Sequence, residues 1–274
     1  MEILKSEEYK KEDLLFCLIT ELISKSDELS YVSDNENYLI CLSNKGAPIW
    51  IWNKNDISQS KIDELVNEFD KFVLNDQKIQ VTAKEKIYNI LRDKYFCYVV
   101  DNYYIQKGSY VKMNAYRNDN PVLNKNIVGF RRRPNLDELE TLKYYKKCDI
   151  EDTLTKEASD KITDKECLEI AKTQISNPNF YVWDVDGKIV SVASYHKGDK
   201  YYRISEVFTD RESRGKGYAG MLLYELCNEI LNKEKVPMLY ADANYISSNK
   251  AYQKIGFKNQ GDLYTFKIDK TLKK

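Results

Sequence analysis

The chain has 274 residues, long enough for one large domain or two smaller ones, and its 42% hydrophobic content supplies a substantial core. Lysine plus arginine and aspartate plus glutamate balance at 43 each, which argues against a strongly basic nucleic-acid binder. His196 is the only histidine, and Cys17, Cys41, Cys97, Cys148, Cys167 and Cys227 are scattered without a C-x-x-C, so the usual ligand clusters of a zinc site are missing. Such cysteines read as reduced core residues suited to a reducing cytosol. The start, MEILKSEEYKKED, lacks an apolar signal core, and no run approaches the ~20 apolar residues of a membrane span. A cytoplasmic protein is the expectation.

In chain order, KEDLLFCLITELISKSDEL is apolar on a helical period. NYLICLS and APIWIWNK follow as a hairpin around Asn44-Lys45-Gly46, with Trp50 and Trp52 on one face as core residues. A helix around SKIDELVNEFDKFVL, a strand KIQVTA, a helix KEKIYNILRDKY and a strand FCYVVDNYYIQ complete the half. Residues 107–126 are polar and carry Gly108 and Pro121; they are read as the boundary, giving domains 1–125 and 126–274.

The second half opens with the strand IVGFRRR, whose Arg131-Arg132-Arg133 run reads as a solvated strand edge or linker rather than a polyanion site. Two helices follow, LDELETLKYYKKC and DKECLEIAKTQI, the second stopped by Pro178. FYVWDV, KIVSVASYH and KYYRISEVF are three strands joined by turn signals at Asp186-Gly187 and Gly198-Asp199. A helix over 217–232, a strand MLYADA, a helix over 248–255 capped by Gly256, and a final β segment ending at FKI close the chain. This order predicts an α+β fold with a mostly antiparallel sheet. Each half runs helix, hairpin, helix, strand, helix, strand, which suggests a duplication whose first copy lacks a glycine loop.

The loop RGKGYAG, residues 214–220, admits two readings. From Gly215 it fits the dinucleotide pattern G-x-G-x-x-G through Gly217 and Gly220, with Asp242 as the ribose acid. From Arg214 it fits R-x-x-G-x-A. A dinucleotide turn needs its first glycine at the strand end, yet six polar residues separate Phe208 from Gly215. The glycines let backbone amides at a helix start approach phosphate oxygens, and Arg214 and Lys216 add charge.

VFTDRESRGKGYAGMLL resembles the acyl-CoA-binding segment of the GNAT superfamily of N-acetyltransferases, its R/Q-x-x-G-x-G/A core met by Arg214, Gly217 and Ala219. LYADANYISSNKAYQKIGF resembles that family's second cofactor segment, with Asn249, Tyr252 and Gly256-Phe257. The likeness covers roughly 126–274 and is closest to bacterial members of the glycine N-acyltransferase-like group. It implies the GNAT fold, in tandem with a degenerate first half, and acetyl-CoA as cofactor. By the same resemblance, amides from Arg214 through Gly215, Lys216, Gly217 and Tyr218 to Ala219 hold the pyrophosphate. Val207, Phe208 and Thr209 line the pantetheine arm, Asn244 and Asn249 contact the cofactor, and Tyr252 protonates the leaving thiolate.

The resemblance offers Glu206 as the general base, with a bland reading as an exposed strand residue equally open; His196 is a weaker candidate. The acceptor is a small-molecule or peptide amine, with neither nucleic acid nor membrane as partner and a homodimer left open. The competing function is a non-catalytic acyl-CoA sensor or interaction protein, with a nicotinamide enzyme a distant third.

Overall fold

The run KEDLLFCLITELISKSDEL, expected to be one helix, is helical only in part: residues 12–16, with Leu14, Leu15 and Phe16 buried, form turns between two short helices. In the computed structural model, which describes residues 1–25, 30–42, 47–74, 76–101, 104–123, 127–153 and 159–272, α1 spans Glu7–Lys11 and α2 Cys17–Lys25. Strands β1 (Ser30–Ser33), β2 (Tyr38–Leu42) and β3 (Ile49–Asn53) form an antiparallel meander. The turn at 44–46 lies outside the described residues. Helix α3 (Gln59–Phe72) starts at Ser58, whose hydroxyl accepts from the Lys61 amide. β4 (Lys78–Ala83), α4 (Glu85–Lys94), β5 (Phe96–Asp101) and β6 (Tyr104–Lys107) follow.

Residues 107–126, expected to be a polar boundary, instead contain a strand, β7 (Val111–Arg117), in the middle of the sheet. Val111, Met113 and Ala115 alternate with Lys112, Asn114 and Tyr116, and Ala115 and Tyr116 are both buried, on opposite faces. The polar composition hid a period of two.

The second half supplies β8 (Phe130–Arg132), α5 (Leu139–Thr153), α6 (Asp164–Ser176), β9 (Phe180–Val185), β10 (Lys188–Lys197), β11 (Tyr201–Thr209), α7 (Tyr218–Leu231), β12 (Val236–Asp242), α8 (Ile246–Lys254) and β13 (Lys258–Asp269). A capping box starts α6, with the Thr163 hydroxyl and the Glu166 carboxylate each accepting the other's backbone amide. Arg131–Arg133 do lie at the edge strand β8, as expected, but their guanidinium groups are paired rather than simply solvated. Arg131 pairs with Glu225 and Glu229, Arg132 with Glu138 and Asp184, and Arg133 donates to the Ile175 and Asn177 carbonyls.

The strands make one sheet in the order β1-β2-β3-β4-β13-β7-β12-β11-β10-β9-β8, with β5 and β6 attached beside β13. The final strand of each half has crossed over. β7 pairs with β12, and β13 pairs with β4, while the two meet antiparallel at the centre. Outward from that pair the order is palindromic. Each side meets an antiparallel strand (β4 or β12), a strand parallel to it (β3 or β11), then a meander.

Helices α3, α4, α7 and α8 pack on one face; α1, α2, α5 and α6 pack on the other. The alternation of the strands sets this. Leu239 and Tyr116 face α7, whereas Met238 and Ala115 face α2. All six cysteines are buried and free. Among the described residues no helix is long and apolar enough to cross a membrane, and no group of acids, cysteines and histidine could hold a metal.

Candidate active site

Strands β11 and β12 run parallel but pair only from Tyr201/Val236 to Arg203/Met238. Beyond that point β11 continues to Thr209 and β12 to Asp242 without pairing to each other, so the sheet forks. The facing edges carry backbone donors and acceptors available to an extended ligand between them.

On the β11 side of the fork lies a bulge. Ser205 pairs with Ser194 and Phe208 with Val192, so Glu206 and Val207 together oppose Ala193. Glu206 takes φ 55°, a left-handed backbone that costs a side-chain-bearing residue about 1–2 kcal/mol. Its carboxylate lies on the α5/α6 face, where it accepts from Gln174 Nε2 at 3.1 Å and Ser194 Oγ at 2.8 Å. Two donors therefore fix the orientation of Glu206 against a strained backbone. Phe208 buries its ring beside Tyr145 and Val192, so only its backbone faces the fork; Val207 packs toward α7.

The loop after β11 makes a short 3-10 turn over Arg211–Ser213. Gly215 and Gly217 have φ of 76° and 92°, and Gly217 is the N-cap of α7 without any side-chain cap. Among the described residues, the amides from Gly215 to Gly220 meet no protein acceptor; the first helical bond is Met221 N–H to Gly217 O at 3.0 Å. Bare N–H groups at the positive end of a 14-residue helix are chemically suited to an anion. Gly215 and Lys216 are exposed, and Tyr218 and Ala219 half-buried. Gly220 sits in ordinary contact, its added Cβ 3.5 Å from Ile255 Cγ2, so it has no phosphate role to explain. Arg214 stacks its guanidinium 5.4 Å from the Phe208 ring, donates to the Thr209 carbonyl at 3.1 Å, and pairs with Asp152.

On the β12 side, α8 carries the second motif. Asn249 is buried, and its amide nitrogen donates to the Asp242 and Tyr245 carbonyls at 2.7 and 2.9 Å. Its oxygen accepts from Asn114 and the Tyr116 hydroxyl, each at 2.9 Å. Every hydrogen-bonding position is engaged, so Asn249 anchors α8 to β7 and has no group left for a cofactor contact. Asn244 is exposed at the turn after β12. Tyr252 is half-buried between Tyr116 and Phe257, and its hydroxyl has no partner among the described residues. Burial, helped by the charge of Asp149, pushes that hydroxyl up to about 12. His196 is exposed on β10, and desolvation and the Arg203 charge lower its pKa.

Sequence reasoning missed Asp149, Asp152, Gln174 and Arg203, which come to the fork only through folding. Among the described residues of the first half there is no comparable opening. β3 and β4 stay paired through Ala83, where β4 ends, and the adjacent space holds Trp52, Glu12 and Lys84. Trp52 Nε1 donates to Glu12 at 2.8 Å, and Lys84 Nζ lies 2.6 Å from the same carboxylate.

The sequence profile of the acetyltransferase (GNAT) family matches residues 141–257, which hold both walls of the fork, the glycine loop and Tyr252. No curated protein matches the chain. Among solved structures, a GNAT-family acetyltransferase from Colwellia psychrerythraea aligns over 94% of this chain and 96% of its own at 12% identity, with a TM-score of 0.58. A GCN5-related N-acetyltransferase from Kribbella flavida aligns over 96% of both chains at 13% identity and the same TM-score of 0.58. A Drosophila protein aligns over 96% of this chain and 89% of its own at 9% identity, with a TM-score of 0.60. These likenesses show a shared fold, and the profile adds the family for part of the chain: residues 141–257 form a domain of the GNAT acetyltransferase family.

Proposed function

We propose that the protein moves an acetyl group from acetyl-CoA to the primary amine of a small molecule or peptide by direct attack. The observation that carries this reading is the fork itself, with bare amides at one end and, on the helix after β12, a Tyr252 hydroxyl without a partner among the described residues. Acetyl-CoA supplies the acetyl group as a thioester. The amides of Gly215–Ala219 suit its pyrophosphate, and the free edge of β11 at Val207 and Thr209 suits the pantetheine amides. The Val207 N–H would stabilise the charge that develops on the carbonyl oxygen. Glu206, held by Gln174 and Ser194, takes the amine proton directly or through water. Tyr252 keeps its proton until a thiolate needs it.

We also propose that residues 1–125 and 126–274 descend from one duplicated unit, the palindromic strand order being the support. In the first unit Tyr88 holds the place of Tyr252, but its hydroxyl is tied to the Gly108 carbonyl, and the notch is filled.

Tyr252→Phe tests the acid role. The expected result is a fall in kcat of about 10²-fold with acetyl-CoA still raising the melting temperature. Unchanged turnover with retained binding would remove Tyr252 from the chemistry. Stabilisation of the wild type by acetyl-CoA with no turnover on any amine would favour the sensor reading.

A further inference from the structure

Arg203 stands at the throat of the fork, the last residue of β11 to pair with β12, and directly opposite His196 on β10. Its Nε is buried with no hydrogen-bond partner. Among the described residues its guanidinium takes part in neither a hydrogen bond nor an ion pair. An unpaired buried donor on a permanent cation weakens the fold, so its retention calls for a partner that the protein itself does not supply.

The surroundings locate that partner. Alternation along β11 puts Arg203 on the same face as Tyr201, which packs under α2, and opposite Ile204, so the side chain rises from the face covered by α2, α5 and α6. Glu206 turns its carboxylate to the same face, three positions along the strand and across the bulge, about 7–10 Å away between Cα atoms. The glycine-loop amides lie past the other end of β11, so phosphates held there do not reach Arg203. Helix α2 of the first half closes the far wall: Gly198 in the β10–β11 turn packs so near α2 that a Cβ would lie 2.2 Å from Glu21 Oε1.

We propose that Arg203 is a specificity-determining residue of the acceptor pocket, pairing with an anionic oxygen group on a small amine whose nitrogen faces Glu206. The acceptor class is therefore a short primary amine bearing a carboxylate, sulfonate or phosphonate. Guanidinium suits all three through its forked donors. This inference rests on the transferase reading for its chemistry but not for its binding site.

The test compares β-alanine, taurine and 2-aminoethylphosphonate with propylamine, on the wild type, Arg203→Met and Arg203→Lys. CoA release gives kcat/KM, and thermal shift in the presence of CoA gives binding. The expected result is a preference of at least ten-fold for one or more of the anionic amines in the wild type. Arg203→Met closes that gap chiefly through KM, and Arg203→Lys restores part of it. Because Nε is unpaired, Arg203→Met should melt no lower than the wild type, which separates a specificity role from a structural one. Equal use or equal binding of propylamine and the anionic amines by the wild type would overturn the proposal. So would weaker CoA binding in Arg203→Met, which would assign the residue to the cofactor. Arg203-dependent binding of an anionic amine without CoA release would sink the transferase reading while leaving this one standing.

Discussion

Tyr252 and Asn249 sit three residues apart on one short helix, yet the fold surrounds them differently. Asn249 spends all its hydrogen-bonding capacity on protein, whereas Tyr252 has a free hydroxyl whose proton is held by burial and by Asp149. The sign of that shift makes a prediction. With its pKa pushed up to about 12, Tyr252 as the proposed general acid stays protonated through pH 10, so kcat should show no alkaline fall from it below about pH 11. A descending limb centred at or below pH 10 that disappears in Tyr252→Phe would contradict this. The motif spacing made both residues legible in the sequence. It left the division of labour hidden, because that depends on Asn114 and Tyr116 from a strand 133 or more positions away.

Helix α5 is the element that joins the two sides of the site. Its last turn bonds Arg211 through Glu151 and Asp152, pairs Asp152 with Arg214, and offers the Thr153 carbonyl to the Tyr245 hydroxyl at 3.0 Å. It thus touches the loop after β11 and the turn after β12. One turn earlier Asp149, paired with Lys146, lines a small cavity with Glu206, Gln174 and Phe208. If the glycine loop holds the CoA phosphates as proposed, they meet an arginine, Arg214, already paired with Asp152. Asp152→Asn should therefore tighten CoA binding by about two- to ten-fold at low ionic strength, the gain shrinking with salt. Calorimetric titration reads this directly, and weaker binding would mean that Asp152 orients Arg214 for the cofactor. Nothing in the amphipathic pattern of LDELETLKYYKKC announced this contact, because α5 continues past the apolar run to Thr153 and its acids look like a solvated end.

At the scale of the molecule, the antiparallel meander of β9, β10 and β11 followed from turn signals and alternation, and the glycine loop stood out against them. The exchange of β7 and β13 did not, since alternation says which face a residue takes but not which neighbour a strand pairs with. Residues 1–125 and 126–274, expressed separately, would each leave β4 or β12 with an uncovered edge. The expected outcome is that neither half alone shows a cooperative thermal transition, while co-expression restores one. Independent folding of either half, read by circular dichroism, would mean that each strand can return to its own half.

The crossed strands also set a timetable. During synthesis β4 emerges long before β13, the strand that must lie against it. The first half therefore leaves the ribosome with its central partner still unmade, and its sheet closes only after residues 258–269 have appeared. Folding is then a late event for the whole chain rather than a sequence of two, and a chaperone that shields the β4 edge has the entire translation of the second half in which to act.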